Sequence, residues 1–217
     1  MFRGIFSGAQ RSPLIEAAFE DVSSMLRHSA RMLDLALAAL LDNQPLERDL
    51  DAMDDPVDEA ERMVRRSVLQ HLSFNPRQDL VASLVLVSMV QDAERIGDFA
   101  RGIGELVPLA RSPRTGPFAE RLRASARELR PLFEETEAAF REDDPERARA
   151  VMEKASELKA ALQRYTEDVA ASDLTADMAV VYASAARILR RIGAHLSNIA
   201  SSVAQPYDRI RHGDEDV

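Results

Sequence analysis

The feature that most constrains this chain is an internal repeat with an offset of 96 residues. The repeat is carried by the pairs Ile96–Ile192, Gly97–Gly193, Ile103–Ile199 and Val107–Val203. A repeat of this period indicates an internal duplication of one structural unit. The two copies differ chemically, because the first carries Glu94 and Asp98 where the second has Arg190 and Ala194. Any fold must therefore accommodate two similar units with different surface chemistry.

The composition favours helices. Aromatic residues are 5% of the chain, there is no Trp, and 46% of the residues are hydrophobic, mostly Leu, Ala and Val. This balance is typical of an all-α protein rather than a β-sandwich or barrel. The absence of cysteine excludes disulfides and thiolate metal sites. The net charge of -9 argues against nucleic acid as the main partner.

The sequence contains neither the pattern of a signal peptide nor that of a membrane-spanning helix. The segment Met1–Arg11 lacks an apolar stretch of signal-peptide length. The longest apolar run, 80–90, contains two serines and is too short to span a bilayer. We therefore expect a soluble, cytoplasmic protein. The apolar residues of Met1–Arg11 are expected to cap the bundle or to be loosely ordered, although contact with a membrane or a partner stays open.

Proline-marked start signals divide the chain into helices. Capping residues precede prolines at Ser12-Pro13, Asn75-Pro76, Gly116-Pro117 and Asp144-Pro145. With Asn43 before Pro45, and Ser172-Asp173, they predict six helices near 13–42, 45–73, 76–110, 117–142, 145–171 and 173–210. Heptad spacing of apolar residues in these segments predicts long, nearly parallel packed helices.

The longest break, between Arg111 and Pro117, divides the helices into two sets of three. We therefore predict two tandem three-helix bundles with a domain boundary between residues 112 and 113: 1–112 and 113–217. The short connections predict antiparallel neighbours. The two repeated glycines, Gly97 and Gly193, lie in helix interiors, where glycine is costly, and they predict close approach of a neighbouring helix.

Carboxylates form two stripes at helical spacing. Those of the second helix are Asp51, Asp54, Asp58 and Glu61; those of the third are Glu94 and Asp98. On adjacent antiparallel helices they would form a cluster of hard oxygen ligands suited to a divalent or iron-type metal. From the spacing alone, a solvated acidic helix face is the simpler interpretation.

Catalytic signatures are absent from the sequence. None of the histidines lies three residues after a glutamate, as in di-iron bundles. His195 lies on a core seam and is predicted to be packed rather than a ligand. There is no phosphate-binding glycine loop and no nucleophile elbow. We predict a protein without enzymatic activity.

Several motifs together carry a family resemblance. Glu94-Arg95-Ile96-Gly97-Asp98, preceded by Asp54-x-x-Val57-Asp58-x-x-Glu61, resembles the signature of the PhoU family of phosphate-uptake regulators. The run from Arg191 to Ala200 looks like the family's second signature. The resemblance covers nearly the whole chain, and the opening residues resemble the shorter PhoU-like proteins associated with phosphate transporters.

The resemblance implies a fold of two three-helix bundles related by a pseudo-twofold axis. It implies a cytoplasmic, non-enzymatic regulator of phosphate transport and phosphate signalling, whose partners are a phosphate transporter, a phosphate sensor kinase or both. Association with the membrane would be peripheral, through that partner, and a homodimer is also open. The family's metal motif falls on Asp54, Asp58, Glu94 and Asp98, with Glu61 a secondary candidate, which implies a metal cluster in the first half only. No other cofactor is expected.

Two other functions stay open at this point. One is a metal-storing or metal-dependent enzyme built on the same carboxylates, and the missing histidines weigh against it. The other is a helical scaffold without a ligand. The sequence does not distinguish the metal, the partner or the oligomeric state.

Overall fold

The computed structural model describes residues 12–207 and residue 210. These residues form six long α-helices and a short 3₁₀ turn, without strands. The helices are α1 (Pro13–Leu41), α2 (Leu50–Phe74), α3 (Leu80–Glu105), α4 (Gly116–Glu142), α5 (Pro145–Ala170) and α6 (Ala176–Ala204), with the 3₁₀ turn at Val107–Leu109 between α3 and α4. The segment Met1–Arg11, for which sequence expectations were stated, lies outside the described residues, as do residues 208, 209 and 211–217.

The six helices pack as two sets of three. α1, α2 and α3 contact one another, as do α4, α5 and α6. The two sets meet where α3 packs on α6 and α1 packs on α4. The all-α fold and its two three-helix bundles, predicted from the repeat, are confirmed. The domain boundary between 112 and 113 falls in the connection before α4 and stays a prediction.

A pseudo-twofold axis can be placed from side-chain contacts alone. Phe99 and His195 are equivalent by the 96-residue repeat, and they stack on each other with ring centroids 5.5 Å apart. Equivalent residues can touch only near the axis that relates them. A second pair supports this: Asn198 contacts Asp92, and their repeat equivalents, Gly102 and Ile188, are also adjacent. The axis therefore passes between α3 and α6.

The capping residues explain where some helices begin. Ser12 caps α1 by accepting a hydrogen bond from the Ile15 amide, and Asp144 caps α5 in the same way through the amides of Glu146 and Arg147. The second helix starts at Leu50 rather than at the predicted residue 45. Asp49 accepts from the amides of residues 51 and 52, so the cap lies after the proline instead of before it.

The prediction that Asn75-Pro76 opens the third helix is wrong. Asn75 ends α2, a turn follows, and α3 begins at Leu80 after Asp79 in a left-handed conformation (φ 52°). Long-range hydrogen bonds hold this turn. Buried His71 lies 2.9 Å from the Gln78 carbonyl through Nε2 and 2.9 Å from the Ser12 hydroxyl through Nδ1. The Asp79 carboxylate accepts from the Ser12 amide.

The last helix is shorter than predicted at both ends. It spans Ala176–Ala204 instead of 173–210, with Thr175 as its N-cap. Gln205 precedes Pro206 and is extended (φ -126°, ψ 152°), as expected because a proline disfavours the helical conformation of the residue before it.

The connection between the two halves is fastened to α1. Arg114 is buried and donates hydrogen bonds to the carbonyl oxygens of Ala39 (2.8 Å) and Leu40 (2.6 Å) at the end of α1. Its backbone amide donates to the side chain of Asn43. The guanidinium thereby satisfies carbonyls that a helix end leaves without partners. The connection is therefore held against the first bundle.

Candidate functional site

The predicted acidic cluster lies where α2 and α3 run side by side in opposite directions. α2 contributes Asp54, Asp58 and Glu61, and α3 contributes Glu94 and Asp98. Contacts from Arg101 of α3 to Asp51 and Asp54 of α2 show that the two stripes face each other. The two predicted stripes thus face each other, and their role as a metal site stays a prediction. Asp54 is the most buried of them, with 7% of its surface exposed.

Gly97 allows the two helices to approach at this cluster. A methyl group at Gly97 would lie 2.7 Å from Asp54 Oδ1 and 3.2 Å from Val57 Cγ1. The first distance is shorter than any normal contact, so no side chain fits here without movement of α2 or of Asp54. The predicted close approach at Gly97 is confirmed. Gly193 also faces neighbouring helices, but its methyl group would lie 3.7 Å from Leu129 and 3.9 Å from Leu158.

Burial and mutual repulsion change the acidity of two members of the cluster. The pKa of Glu94 is raised to about 7, first by burial and then by the nearby negative charge of Asp98, with smaller contributions from Glu61 and Asp58; Arg95 opposes the rise. The pKa of Asp54 is raised to about 6 by burial and by Asp98 and Asp58, against the effect of Arg101. Both carboxyl groups therefore keep their protons to a higher pH than free carboxyl groups do, Glu94 more than Asp54.

Two arginines of α3 lie among these carboxylates. Arg95 contacts Glu94 and Asp98 of its own helix, at 3.7 Å and 3.3 Å. Arg101 bridges the helices, with Nε 3.3 Å from Asp54 Oδ2 and Nη2 3.2 Å from Asp98 Oδ1. Helical spacing places Arg101 on the same face as Asp98, three residues before it, but sequence reasoning did not predict that Arg101 reaches α2.

The cluster suits a hard cation chemically but is not arranged around one. All of its donors are carboxylate oxygens, the ligands that Mg²⁺, Mn²⁺ or Ca²⁺ prefer. Asp54 Oδ1 is buried without a hydrogen-bond partner, and so is the hydroxyl of Ser29 beside Gly97. Among the described residues, however, no three His, Asp or Glu side chains are grouped closely enough to hold one ion. Asp54, Asp58, Glu94 and Asp98 would hold a cation only after local rearrangement.

The described part of the second half, up to residue 207, has no equivalent cluster on the repeated positions. The positions that correspond to Glu94 and Asp98 are Arg190 and Ala194. Arg190 donates to the amide oxygen of Gln163 at 2.7 Å. Glu153 and Glu157 are exposed on α5, away from its buried face. The asymmetry read from the repeat is therefore also an asymmetry of the folded surface.

A buried polar contact joins the two halves, and sequence reasoning did not find it. Asp92, 6% exposed, lies 2.7 Å from His195 Nδ1 and accepts a hydrogen bond from Asn198 Nδ2 at 2.8 Å. Phe99 stacks on His195, and the Arg191 guanidinium lies over the Phe99 ring. His195 is packed, as predicted. The available signal was that Asp92 and His195 both occupy apolar positions of their helix seams.

Exposed apolar side chains concentrate around the turn between α2 and α3, at one end of the first bundle. Six of the eleven large hydrophobic side chains exposed in the described residues lie between positions 69 and 87: Leu69, Phe74, Leu80, Val81, Leu84 and Val87. Leu80, Leu84 and Val87 are spaced by four and three residues, so they line one side of α3. We call these six residues the apolar end. The same side of α3 continues into Glu94 and Asp98.

The helices described in the structure contain no apolar stretch long enough to cross a bilayer. The protein is thus a duplicated all-α protein. Its two three-helix units are related by a pseudo-twofold axis, and the acidic cluster lies in the first unit.

The comparisons name the family within that class. The model of the PhoU domain matches the chain twice, over residues 22–107 and 124–203, so the chain belongs to the PhoU family. The family resemblance read from the signature motifs is thereby confirmed. No curated protein matches the sequence.

Two solved structures share the fold. One is PhoU from Pseudomonas aeruginosa, with a TM-score of 0.81 and 21% identity over 89% of this chain and 97% of that one. The other is the phosphate transport system regulatory protein PhoU from Streptococcus pneumoniae, with a TM-score of 0.79 and 15% identity over 87% of this chain and 92% of that one.

Proposed function

We propose that the protein is a cytoplasmic, non-enzymatic regulator of phosphate transport and phosphate signalling that acts through protein contacts. The match of the PhoU domain to both halves carries this proposal. The fold is also that of a phosphate transport system regulatory protein. The partner would be a phosphate transporter or a phosphate sensor kinase, and membrane association would occur through it.

Deletion of the chain from its host, followed by phosphate uptake measurements, tests this function. We expect cells without it to lose the normal difference in uptake between phosphate-rich and phosphate-poor medium. Expression of the wild-type chain should restore that difference. Uptake that responds to phosphate equally well with and without the chain would contradict the proposal.

We propose that the partner contacts the apolar end and the acidic cluster beside it. The exposed leucines and valines offer an apolar surface, and the carboxylates of α2 and α3 outnumber their arginines. This combination fits a helix of the transporter or kinase that carries apolar residues followed by Lys or Arg. Ser12 lies against Asp79 at this end and is joined to residues 1–11, so removal of those residues is a further test of this surface.

The repeat supplies a matched control for this surface. Leu84 is equivalent to Val180, which is exposed on α6 in the half without the cluster. In the deletion strain, Leu84→Glu should fail to restore phosphate-dependent uptake, and Val180→Glu should restore it. A chain without residues 1–11 should function like wild type. Loss of function on truncation would assign the surface to those residues instead of the partner.

We also propose that the acidic cluster takes a divalent cation. The oxygen donors and the buried, unpartnered Asp54 Oδ1 support this proposal. A ligand that binds only the folded state stabilises it by ~2.7 kcal/mol at a hundredfold excess over its dissociation constant. Mn²⁺ should therefore raise the melting temperature of the wild type, but not that of Glu94→Gln/Asp98→Asn. Glu153→Gln/Glu157→Gln is the control, and an equal gain in all three would refute a site at this cluster.

A metal-dependent enzyme on the same carboxylates is the alternative function. Mn²⁺-dependent hydrolysis of phosphoesters by the wild type, absent from Glu94→Gln/Asp98→Asn, would favour it.

A further inference from the structure

The two most exposed large apolar side chains among the described residues lie on α2, just before the turn to α3. Leu69 and Phe74 expose 70% and 76% of their surface, whereas the other four members of the apolar end expose 38–43%. Side chains as exposed as these add little to the core, and large apolar groups gathered in contact with water mark an interaction surface. Leu69 and Phe74 are therefore available to a surface outside this chain.

Arginines, rather than carboxylates, accompany these two side chains. Arg66 lies three residues before Leu69 and so on the same face of α2, and Arg77 lies in the turn that follows Phe74. Both arginines are exposed. Arg66 contacts the sulfur of Met63, and neither arginine pairs with a carboxylate among the described residues. We call Arg66, Leu69, Phe74 and Arg77 the basic tip.

The acidic cluster lies well away from the basic tip. Within positions 62–91 the one acidic residue is Asp79, whose side chain is only 11% exposed, and Glu61, just before this range, is paired with Arg65. A rise of ~1.5 Å per residue places Glu94 about 20 Å along α3 from its first residue. Salt screens a charge at that distance, because the Debye length is about 10 Å at 0.1 M. The basic tip is therefore locally positive although the net charge of the chain is -9.

The two sides of the apolar end fit surfaces of opposite charge. Leu84 and Val87 lie on the side of α3 that continues into Glu94, so they fit the basic partner helix proposed above. Arg66 and Arg77 would repel such a helix, whereas they would attract the phosphate groups of anionic lipids. The combination of exposed Phe and Leu with arginines is also the one by which peripheral proteins enter the headgroup layer.

We infer that the basic tip binds the surface of an anionic lipid bilayer directly. The side chains of Leu69 and Phe74 enter the headgroup layer, and the guanidinium groups of Arg66 and Arg77 contact lipid phosphates. The inference goes beyond the proposed function, in which the membrane is reached only through the partner. It leaves the α3 side of the apolar end to that partner, so both contacts can form at once.

The test is sedimentation of the full-length protein with sucrose-loaded vesicles, which need no partner protein. Vesicles of phosphatidylcholine with about one-third phosphatidylglycerol should bind the wild type at least about fivefold more tightly than phosphatidylcholine alone. Leu69→Ser/Phe74→Ser should weaken binding at least about fivefold. Arg66→Gln/Arg77→Gln should weaken it by a similar factor or more, because each arginine near an anionic surface contributes about fivefold. All four side chains are exposed, and circular dichroism would check that both variants are folded.

The second half supplies matched controls for both kinds of side chain. Val180 is 55% exposed, and Arg187 is exposed without a carboxylate partner among the described residues. Val180→Ser and Arg187→Gln should each bind the anionic vesicles within about twofold of the wild type, because neither residue belongs to the basic tip. A chain without residues 1–11, which precede Ser12 at this end of the bundle, should do the same.

A fluorescence measurement locates the contact. The chain has no tryptophan, so Phe74→Trp introduces a single reporter at the basic tip, and Val180→Trp introduces one outside it. Emission of Phe74→Trp should move to shorter wavelength when anionic vesicles are added, because the indole enters a less polar layer. Emission of Val180→Trp should not move.

Four results would overturn the inference. They are no binding of the wild type to anionic vesicles, equal binding to neutral vesicles, an unchanged emission of Phe74→Trp, and a loss in either control or in the truncated chain as large as in the tip variants. Loss in the truncated chain would assign the lipid contact to residues 1–11. Phosphate uptake in the deletion strain tests the regulatory function separately, so failure of one leaves the other standing.

Discussion

Gly97 shows how one missing side chain sets the geometry of the acidic cluster. In a helix interior, replacing Gly by Ala normally stabilises by ~0.5–1 kcal/mol. At Gly97 the added methyl would overlap Asp54 Oδ1 at 2.7 Å. Overpacking of this kind typically costs ~1–3 kcal/mol. The steric cost outweighs the gain in helix propensity, so the glycine is required by its neighbour.

We predict that Gly97→Ala lowers the free energy of unfolding by about 1–2 kcal/mol. Gly193→Ala is the control, because its methyl would make only ordinary contacts with Leu129 and Leu158. That variant should be neutral or more stable by up to about 1 kcal/mol. Urea unfolding of both variants measures the difference. Equal effects at the two glycines would show that the close approach at Gly97 is not rigid.

The raised pKa of Glu94 predicts that the fold loses stability as the pH rises. In the unfolded chain Glu94 titrates near its ordinary value of 4.5, whereas in the folded chain its pKa is about 7. Between these values the folded state holds more protons than the unfolded state, so raising the pH favours unfolding. Asp54 acts in the same direction between 3.8 and about 6.

Glu94→Gln should therefore flatten the dependence of melting temperature on pH between about 4.5 and 7. It should make the protein more stable than wild type at pH 8, by roughly 1–2 kcal/mol after allowance for partial exposure. Glu157→Gln, exposed on α5, should leave the wild-type curve unchanged. A Glu94→Gln curve that is parallel to wild type would show that Glu94 ionises as freely in the folded state as in the unfolded one.

At the scale of the helices, the contact between α3 and α6 includes a buried polar cluster. Asp92 accepts from Asn198 and lies against His195, and these side chains come from opposite halves. A buried carboxylate destabilises the folded state unless it is hydrogen-bonded. The contributions of Asp92 and Asn198 to stability should therefore depend on each other. By contrast, the ion pair between Asp34 of α1 and Arg130 of α4 also joins the halves but is half exposed.

A double-mutant cycle can separate these two kinds of contact. For Asp92→Ala and Asn198→Ala we predict a coupling energy of about 0.5–3 kcal/mol, measured by urea unfolding. For Asp34→Ala and Arg130→Ala the coupling should stay below about 0.5 kcal/mol, because solvent screens the pair. Coupling that is no larger at Asp92–Asn198 than at the surface pair would mean that the buried contact does not hold the halves together.

The helices were predictable to the extent that their signals are local. Ser12-Pro13 and Asp144-Pro145 start α1 and α5 as predicted, because a cap and a proline act within one turn. Asn75-Pro76 carries the same signal and does not start a helix. There the turn is held by His71 and Asp79, which contact Ser12 across 59 and 67 residues, and such contacts leave no local pattern.

The acidic stripes were predictable from the sequence but their electrostatics were not, and their role as a metal site stays a prediction. Helical spacing was enough to place Asp54 and Asp58 on one face of α2, and Glu94 and Asp98 on one face of α3. Two further facts depend on tertiary packing: Arg101 reaches across to α2, and Asp54 is almost fully buried. The partners of Asp92 were likewise invisible, because they come from the other copy of the repeat.

On the scale of the whole molecule, duplication supplies two similar bundles, and sequence divergence has made their surfaces different. The first half carries the acidic cluster and the apolar end, whereas the equivalent positions in the second half include Arg190, Ala194 and the isolated Val180. Both buried cores are largely aliphatic, although the second also contains Phe133, Phe140, Tyr165 and Tyr182. We therefore expect one half to bind the partner and the other to support it.

Capture of the partner by the tagged chain tests this account most directly. Cells grown in phosphate-rich medium would express tagged wild type, Leu84→Glu or Val180→Glu at equal levels, and captured proteins would be identified by mass. We predict that wild type and Val180→Glu retain a phosphate transporter component or phosphate sensor kinase, and that Leu84→Glu retains at least tenfold less. Equal retention by all three, or retention of neither protein by the wild type, would contradict the claim that this chain regulates phosphate uptake through the apolar end of its first half.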